Sequence, residues 1–145
     1  MENLYQTHNW RIYWYDSEKT ILLIEIFNTW TWQDADEGMQ TVVNKVQNTT
    51  SETFLIVSFV DAGTVIPKNF SITLMGRIMR SALAFAGTLV FATSNALLKS
   101  FVDFTGMASR LPRAHMRYHF VDSLEHALDL ITTIKKERQQ SRDAT

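Results

Sequence analysis

The sequence predicts a single α/β domain with a mostly parallel sheet, and three observations lead to that class. Runs of aromatic and β-branched residues, typical of strands, alternate with segments whose apolar residues recur at steps of three and four, typical of helices. The 145 residues match the size of one domain. Because the chain has no cysteine, its core must hold without disulfides, which a domain of this size can do.

The first predicted element is a β-hairpin. Residues 10–15 and 20–28 are rich in Trp, Tyr, Ile and Phe, and the short polar stretch 16–19 separates them. Two such runs joined by a polar link are typical of antiparallel strands. We expect the first of them to form an antiparallel edge of the sheet.

A helix is predicted next, because apolar residues recur on one face after the hairpin. Thr31 and Asp34 resemble a capping pair at its start. The predicted inward stripe consists of Trp32, Ala35, Met39, Val42, Val43 and Val46.

Three further strands complete the predicted sheet of five. The nearly continuous apolar run 54–60 is typical of a strand buried on both faces, and 89–92 and 118–121 have the same character. Two helices are expected between these strands, over about 70–86 and about 95–108.

A fourth helix is predicted to close the domain. Ser123 can cap it, and its inward residues are Leu124, Leu128, Ile131 and Ile134. We expect the polar tail 136–145 to fray into solvent, which leaves a folded core of about 9–135. The element order is therefore ββαβαβαβα.

This element order resembles the STAS domain, the fold of the anti-sigma-factor antagonists. The motifs Trp14-Tyr15-Asp16, Glu25-Ile26-Phe27-Asn28 and Val65-Ile66-Pro67 resemble a group of small bacterial STAS-like proteins. The resemblance implies a five-stranded, mostly parallel sheet with four helices in a right-handed βα superhelix that keeps its helices largely on one side. It also implies a non-catalytic protein-interaction module in bacterial signalling, for which we expect a homodimer.

The same group resembles the Sec14 lipid-binding fold, which implies an alternative function. In that case the chain would bind or sense a small apolar or amphipathic ligand. Characterised antagonists carry a phosphorylated Ser or Thr just before the second helix. Here Lys68 stands about where that residue should be, with Asp61 nearby, so the chain departs from the phosphorylation pattern.

Candidate binding residues follow the predicted strands, because open α/β sheets hold ligands at the carboxyl ends of parallel strands. Asp61, Lys68 and Asn69 follow the third strand, where they could contact a ligand or serve as ordinary caps and turns. Trp30 and Trp32 precede or begin the first helix, where tryptophans either fill a core or anchor an interface.

Glu25 is a further candidate, because it interrupts an otherwise apolar strand. Ile21, Leu23 and Glu25 should share one face of the second strand, and Ser58 should share a face of the third strand with Phe54 and Ile56. Both faces of the sheet are therefore apolar. Glu25 and Ser58 would then belong to a pocket; alternatively, Glu25 lies at a sheet rim or pairs with a nearby arginine.

Composition and motifs narrow the function classes. With 14 Lys and Arg against 15 Asp and Glu, the net charge is −1, which argues against nucleic acid as the main partner. Residues 1–66 hold nine acids and three bases and residues 67–145 hold six acids and eleven bases, so the halves carry −6 and +5. This asymmetry gives either a dipolar surface, which would help two copies meet head to tail, or interspersed solvated charge.

The sequence carries no motif for export, membrane insertion or known chemistry. The amino terminus lacks a basic region followed by an apolar one, and no apolar stretch could span a bilayer, so we expect a cytoplasmic protein. Glycine-rich phosphate loops and hydrolase motifs are absent. His115 and His119 could share a metal on a helix, but the alternation around them is typical of a strand, so we predict no metal. Because the catalytic motifs are absent, we also predict no cofactor and no enzyme.

Overall fold

The structure is a computed structural model that describes residues 3–7, 9–27, 31–45, 53–59, 73, 77, 88–93 and 118–143. Its elements in chain order are β1 (Asn3–Gln6), β2 (Trp10–Trp14), β3 (Ile21–Ile26), α1 (Trp32–Lys45), β4 (Phe54–Phe59), β5 (Thr88–Ala92), β6 (Tyr118–Val121) and α2 (Leu124–Asp143). Among these residues, no helix is both long and apolar enough to cross a membrane.

The six strands form one mixed sheet in the order β1-β2-β3-β4-β5-β6. β2 pairs antiparallel with both β1 and β3, whereas β3 to β6 run parallel. The predicted α/β class and the hairpin are confirmed. The two helices predicted over about 70–86 and 95–108 lie outside the described residues, apart from residues 73 and 77.

The first strand of the predicted hairpin is not the edge of the sheet, because β1 pairs outside it. β1 has only four residues, and the register shifts between Asn3 and Tyr5, which marks a bulge. This segment is short and has polar residues at both ends, so its sequence shows no periodicity by which a strand could be predicted. The sheet therefore has six strands instead of five, and β2 is an interior strand.

One face of the sheet is covered by α1. Ala35, Met39 and Val42 are buried there, as the predicted stripe requires, but Val43 is exposed, because it lies at the border of that stripe. The strand residues of this core cluster are Trp10, Ile12, Trp14, Leu22, Ile24, Ile26, Leu55, Leu89 and Phe91. The tryptophans of the hairpin are thus core residues.

The opposite face is covered by α2. Ala127 and Ile131 of this helix are fully buried against Tyr13, Ile21, Leu23, Phe54, Ile56, Val90 and Ala92. The two described helices lie on opposite faces, and the expectation of helices largely on one side stays a prediction for the other two, which lie outside the described residues. The physical reason is that the strands are apolar on both faces, so each face needs a cover.

Both described helices begin with the predicted caps. The backbone N–H of Asp34 donates to Oγ1 of Thr31 at 3.0 Å, and the N–H of Thr31 donates to the Asp34 carboxylate at 3.2 Å. At α2, the N–H of His126 donates to Oγ of Ser123 at 3.2 Å. α2 then continues to Asp143, beyond the predicted core of about 9–135, and the fraying of the tail 136–145 stays a prediction.

Candidate functional site

One row of paired residues crosses all six strands near the carboxyl ends of the parallel ones. The row consists of Gln6, Arg11, Glu25, Ser58, Ala92 and Val121. Because its members are directly opposite each other, they share the face of the sheet on which α2 packs. We call this set the carboxyl-edge row.

The polarity of the carboxyl-edge row changes along its length. Ala92 and Val121, at the β5 and β6 end, belong to the apolar cluster that α2 covers. The other four members, on β1 to β4, are polar. Parallel strands present ligand-binding side chains at their carboxyl ends, so this polar half is the candidate functional site.

The centre of the site is an ion pair between neighbouring strands. Nε and Nη2 of Arg11 donate to Oε1 of Glu25 at 3.0 and 2.5 Å. The Glu25 side chain is only 14% exposed, whereas that of Arg11 is 42% exposed. The guanidinium also lies over the ring of Tyr13, 5.0 Å from its centroid. The guanidinium of Arg11 is thus held by a carboxylate and an aromatic ring, although the side chain remains partly exposed.

Two pKa values in this group are displaced away from neutrality. The hydrogen bond to Glu25 raises the pKa of Arg11 above its ordinary value. Burial, followed by the neighbouring Glu25 carboxylate, raises the pKa of Tyr13 to about 12. A general acid or base works best with a pKa near the operating pH, so neither group is prepared for proton transfer.

Only part of the predicted site lies within the described residues. Glu25 is in the carboxyl-edge row beside Ser58, as the strand faces predict, and it pairs with a nearby arginine, one of the alternatives to a pocket. Trp32 begins α1, but its side chain lies outside the described part. The remaining predicted residues, Trp30, Asp61, Lys68 and Asn69, also lie outside it.

Sequence reasoning missed Arg11 and Tyr13 as members of the site. The signal that could have found them is the hairpin, provided that its loop is taken as the five residues 16–20: Arg11 then falls opposite Glu25. Cross-strand pairs of opposite charge are a common stabilising unit of antiparallel sheets.

The described histidines do not form a metal centre. His119 lies on β6, a strand as the alternation predicts, and His126 is exposed on α2. Within the described ranges no three His, Cys, Asp or Glu side chains are grouped as metal ligands would be. His115 lies outside those ranges.

Comparison with protein-family models, with curated proteins and with solved structures finds no match to this chain. The class that the fold defines is an α/β domain with a mixed six-stranded sheet. The functional interpretation therefore depends on the geometry and charge of the carboxyl-edge row.

Proposed function

We propose that this chain is a non-catalytic, STAS-like binding module of bacterial signalling, and that it recognises a protein through the polar half of the carboxyl-edge row. The expected partner is a second copy of the chain. The observation that carries the proposal is the state of Arg11, whose side chain is held by Glu25 and Tyr13 yet remains 42% exposed.

An arginine fixed in this way is suited to an interface. Binding costs less when a long side chain is ordered beforehand, and Arg11 is held by two neighbours in the free chain. Arginine and tyrosine are also enriched among the residues that dominate binding energy at interfaces. The Glu25 bonds use two of the five guanidinium N–H donors, and the exposed head can offer others to a partner.

The charge balance of the site also favours burial by a partner. Because Arg11 and Glu25 compensate each other, a surface that covers them removes no net charge from water. The same pairing argues against catalysis, since Oε1 of Glu25 already accepts two charge-assisted hydrogen bonds.

A second candidate function, binding a small amphipathic ligand, is favoured by Ser58. Its side chain is buried directly beside Glu25, next to the small Ala92. A polar head could bond to this end of the row while an apolar part lies against neighbouring residues.

Native mass spectrometry of the full chain, freshly purified from a bacterial host, tests both candidates. We expect a dimer at the bare polypeptide mass, and dissociation of that dimer in Arg11→Gln. Arg77→Gln is the matched control, because it breaks an exposed arginine–carboxylate pair on a different surface and should leave the dimer intact. Extra mass on each subunit, lost in Ser58→Val, would favour the ligand instead. A bare monomer that does not change with concentration contradicts both.

A further inference from the structure

Two cations of α2 converge at the amino ends of the parallel strands, the edge opposite the carboxyl-edge row. Nζ of Lys135 lies 5.7 Å from the centroid of the Phe54 ring, and Cζ of Arg138 lies 5.2 Å from it. Phe54 is the first residue of β4 and is buried. We call these three residues, with Thr20 and Thr88, the amino-edge cluster.

Both cations bond to neutral hydroxyl groups. Nζ of Lys135 donates to Oγ1 of Thr20 at 2.9 Å, and Nη2 of Arg138 donates to Oγ1 of Thr88 at 3.1 Å. Neither cation takes part in an ion pair among the residues that the structure describes. Their positive charges are therefore held in place by an aromatic face and by hydroxyl groups.

Within the described part of the chain, the acid that is hydrogen-bonded to the cluster is Asp16, and it is engaged elsewhere. Its carboxylate accepts the backbone N–H groups of Thr20 and Ile21, both at 2.9 Å, as well as the Thr20 hydroxyl. The Thr20 hydroxyl thus donates a hydrogen bond to Asp16 and accepts one from Lys135. This carboxylate stabilises the hairpin turn, so among the described residues the cluster keeps an excess of positive charge.

The excess charge favours an anion between the two cations. Lys135 and Arg138 are three residues apart on one helix, where like charges repel each other. Both side chains are half-buried, so solvent screens this repulsion less than at a fully exposed surface. A bound anion would remove the repulsion and gain charge-assisted hydrogen bonds from both side chains.

We propose that the amino-edge cluster binds a phosphate group, with Lys135 and Arg138 as donors. A lysine supplies a point charge, an arginine supplies a planar fork, and hydroxyl groups complete many protein contacts with phosphate oxygens. Two cations match the double charge of a phosphate monoester near neutral pH better than the single charge of a carboxylate. This site is separate from the carboxyl-edge row and does not depend on the proposed function.

The test is a titration of the full chain with inorganic phosphate at constant ionic strength, followed by the backbone amide signals of Thr20 and Thr88. We expect saturable shifts in the wild type. Loss of one charge-assisted donor should weaken binding by about tenfold or more in Lys135→Gln and in Arg138→Gln. Lys136→Gln is the matched control: it removes the same charge from an exposed position on the same helix, and should change binding by less than about twofold.

Two arms distinguish a free phosphate compound from a lipid headgroup. The wild type and both cluster variants are mixed with glycerol phosphate, and separately with vesicles of phosphatidylcholine alone or of an equimolar mixture with phosphatidic acid. Binding to either source that requires Lys135 and Arg138 supports the site and identifies the source. The proposal is overturned if the wild type shows no saturable shift with any probe, or if Lys136→Gln loses as much affinity as the cluster variants. If a variant fails to fold, the titration of the wild type alone still tests whether the chain binds phosphate.

Discussion

Arg11 and Glu25 lie directly opposite each other on β2 and β3, and one carboxylate oxygen, Oε1, accepts hydrogen bonds from two guanidinium nitrogens of Arg11 at 3.0 and 2.5 Å. This pair places two opposite charges between Gln6 and Ser58, on the face of the sheet on which α2 packs. Substitutions in this pair therefore test two properties: Glu25→Gln tests the stability of the fold, and Arg11→Gln tests the proposed dimer.

Glu25→Gln should lower the free energy of unfolding by about 1 kcal/mol, because it weakens two charge-assisted hydrogen bonds. The loss is no larger because the Arg11 side chain is 42% exposed and partly solvated. Urea denaturation measures it. Asp36→Asn, which breaks the more exposed pair with Arg77, should cost only a few tenths of a kcal/mol. Equal losses in the two variants would contradict the special role of the Arg11–Glu25 pair.

Tyr13 should ionise late, with a pKa of about 12, because burial and then the Glu25 carboxylate both disfavour the phenolate. The folded-state pKa lies above the unfolded value of about 10, so this contribution to stability is complete below pH 10 and is lost as the pH rises through about 12. Ultraviolet titration should show a late phase that Tyr13→Phe removes and that Glu25→Gln moves to lower pH. A late phase that survives in Tyr13→Phe would show that another residue is responsible.

Asp16 should make the free energy of unfolding depend on pH in the acidic range. Burial alone would raise the pKa of this carboxyl group, but the hydrogen bonds from Thr20 and Ile21 outweigh burial and hold the pKa below 3.8. The stabilisation is therefore present above the unfolded pKa and is lost as the pH falls through the lower folded value. Asp16→Asn should cost about 1 kcal/mol at neutral pH and flatten this acid dependence. In Glu18→Gln, an exposed change in the same turn, denaturation curves should keep the wild-type pH dependence.

Gly38 should accept one methyl group and no more. It lies inside α1, and a Cβ built there would meet Cδ1 of Ile12 at 3.4 Å and Cε1 of Tyr5 at 3.5 Å, which are ordinary contacts. Gly38→Ala should stabilise the protein by about 0.5 to 1 kcal/mol through helix propensity. Gly38→Leu should destabilise it by about 1 to 3 kcal/mol, because the added atoms overpack the core. Thermal unfolding of both variants should show shifts of opposite sign, and shifts of the same sign would contradict the close packing of α1 on β1 and β2.

The sequence predicted the strands that carry the candidate site, but it did not predict most of the contacts within the site. The alternation along β3 and β4 correctly assigned Glu25 and Ser58 to one face with apolar neighbours. Arg11 was not predicted as a site residue, because nothing in the sequence around a single charged residue in an aromatic strand indicates its cross-strand partner. Its role depends on the hairpin register, which places it opposite Glu25.

The sequence by itself determined the local elements: the hairpin, the buried strands, and the caps of α1 at Thr31 and of α2 at Ser123. These depend on residues within a few positions of each other, so periodicity and capping chemistry reveal them. Only the tertiary structure decided that β1 adds a sixth strand, that α1 and α2 cover opposite faces, and that α2 stays helical to Asp143. Each of these depends on contacts between distant residues, such as that of Arg138 with Thr88, which local pattern does not encode.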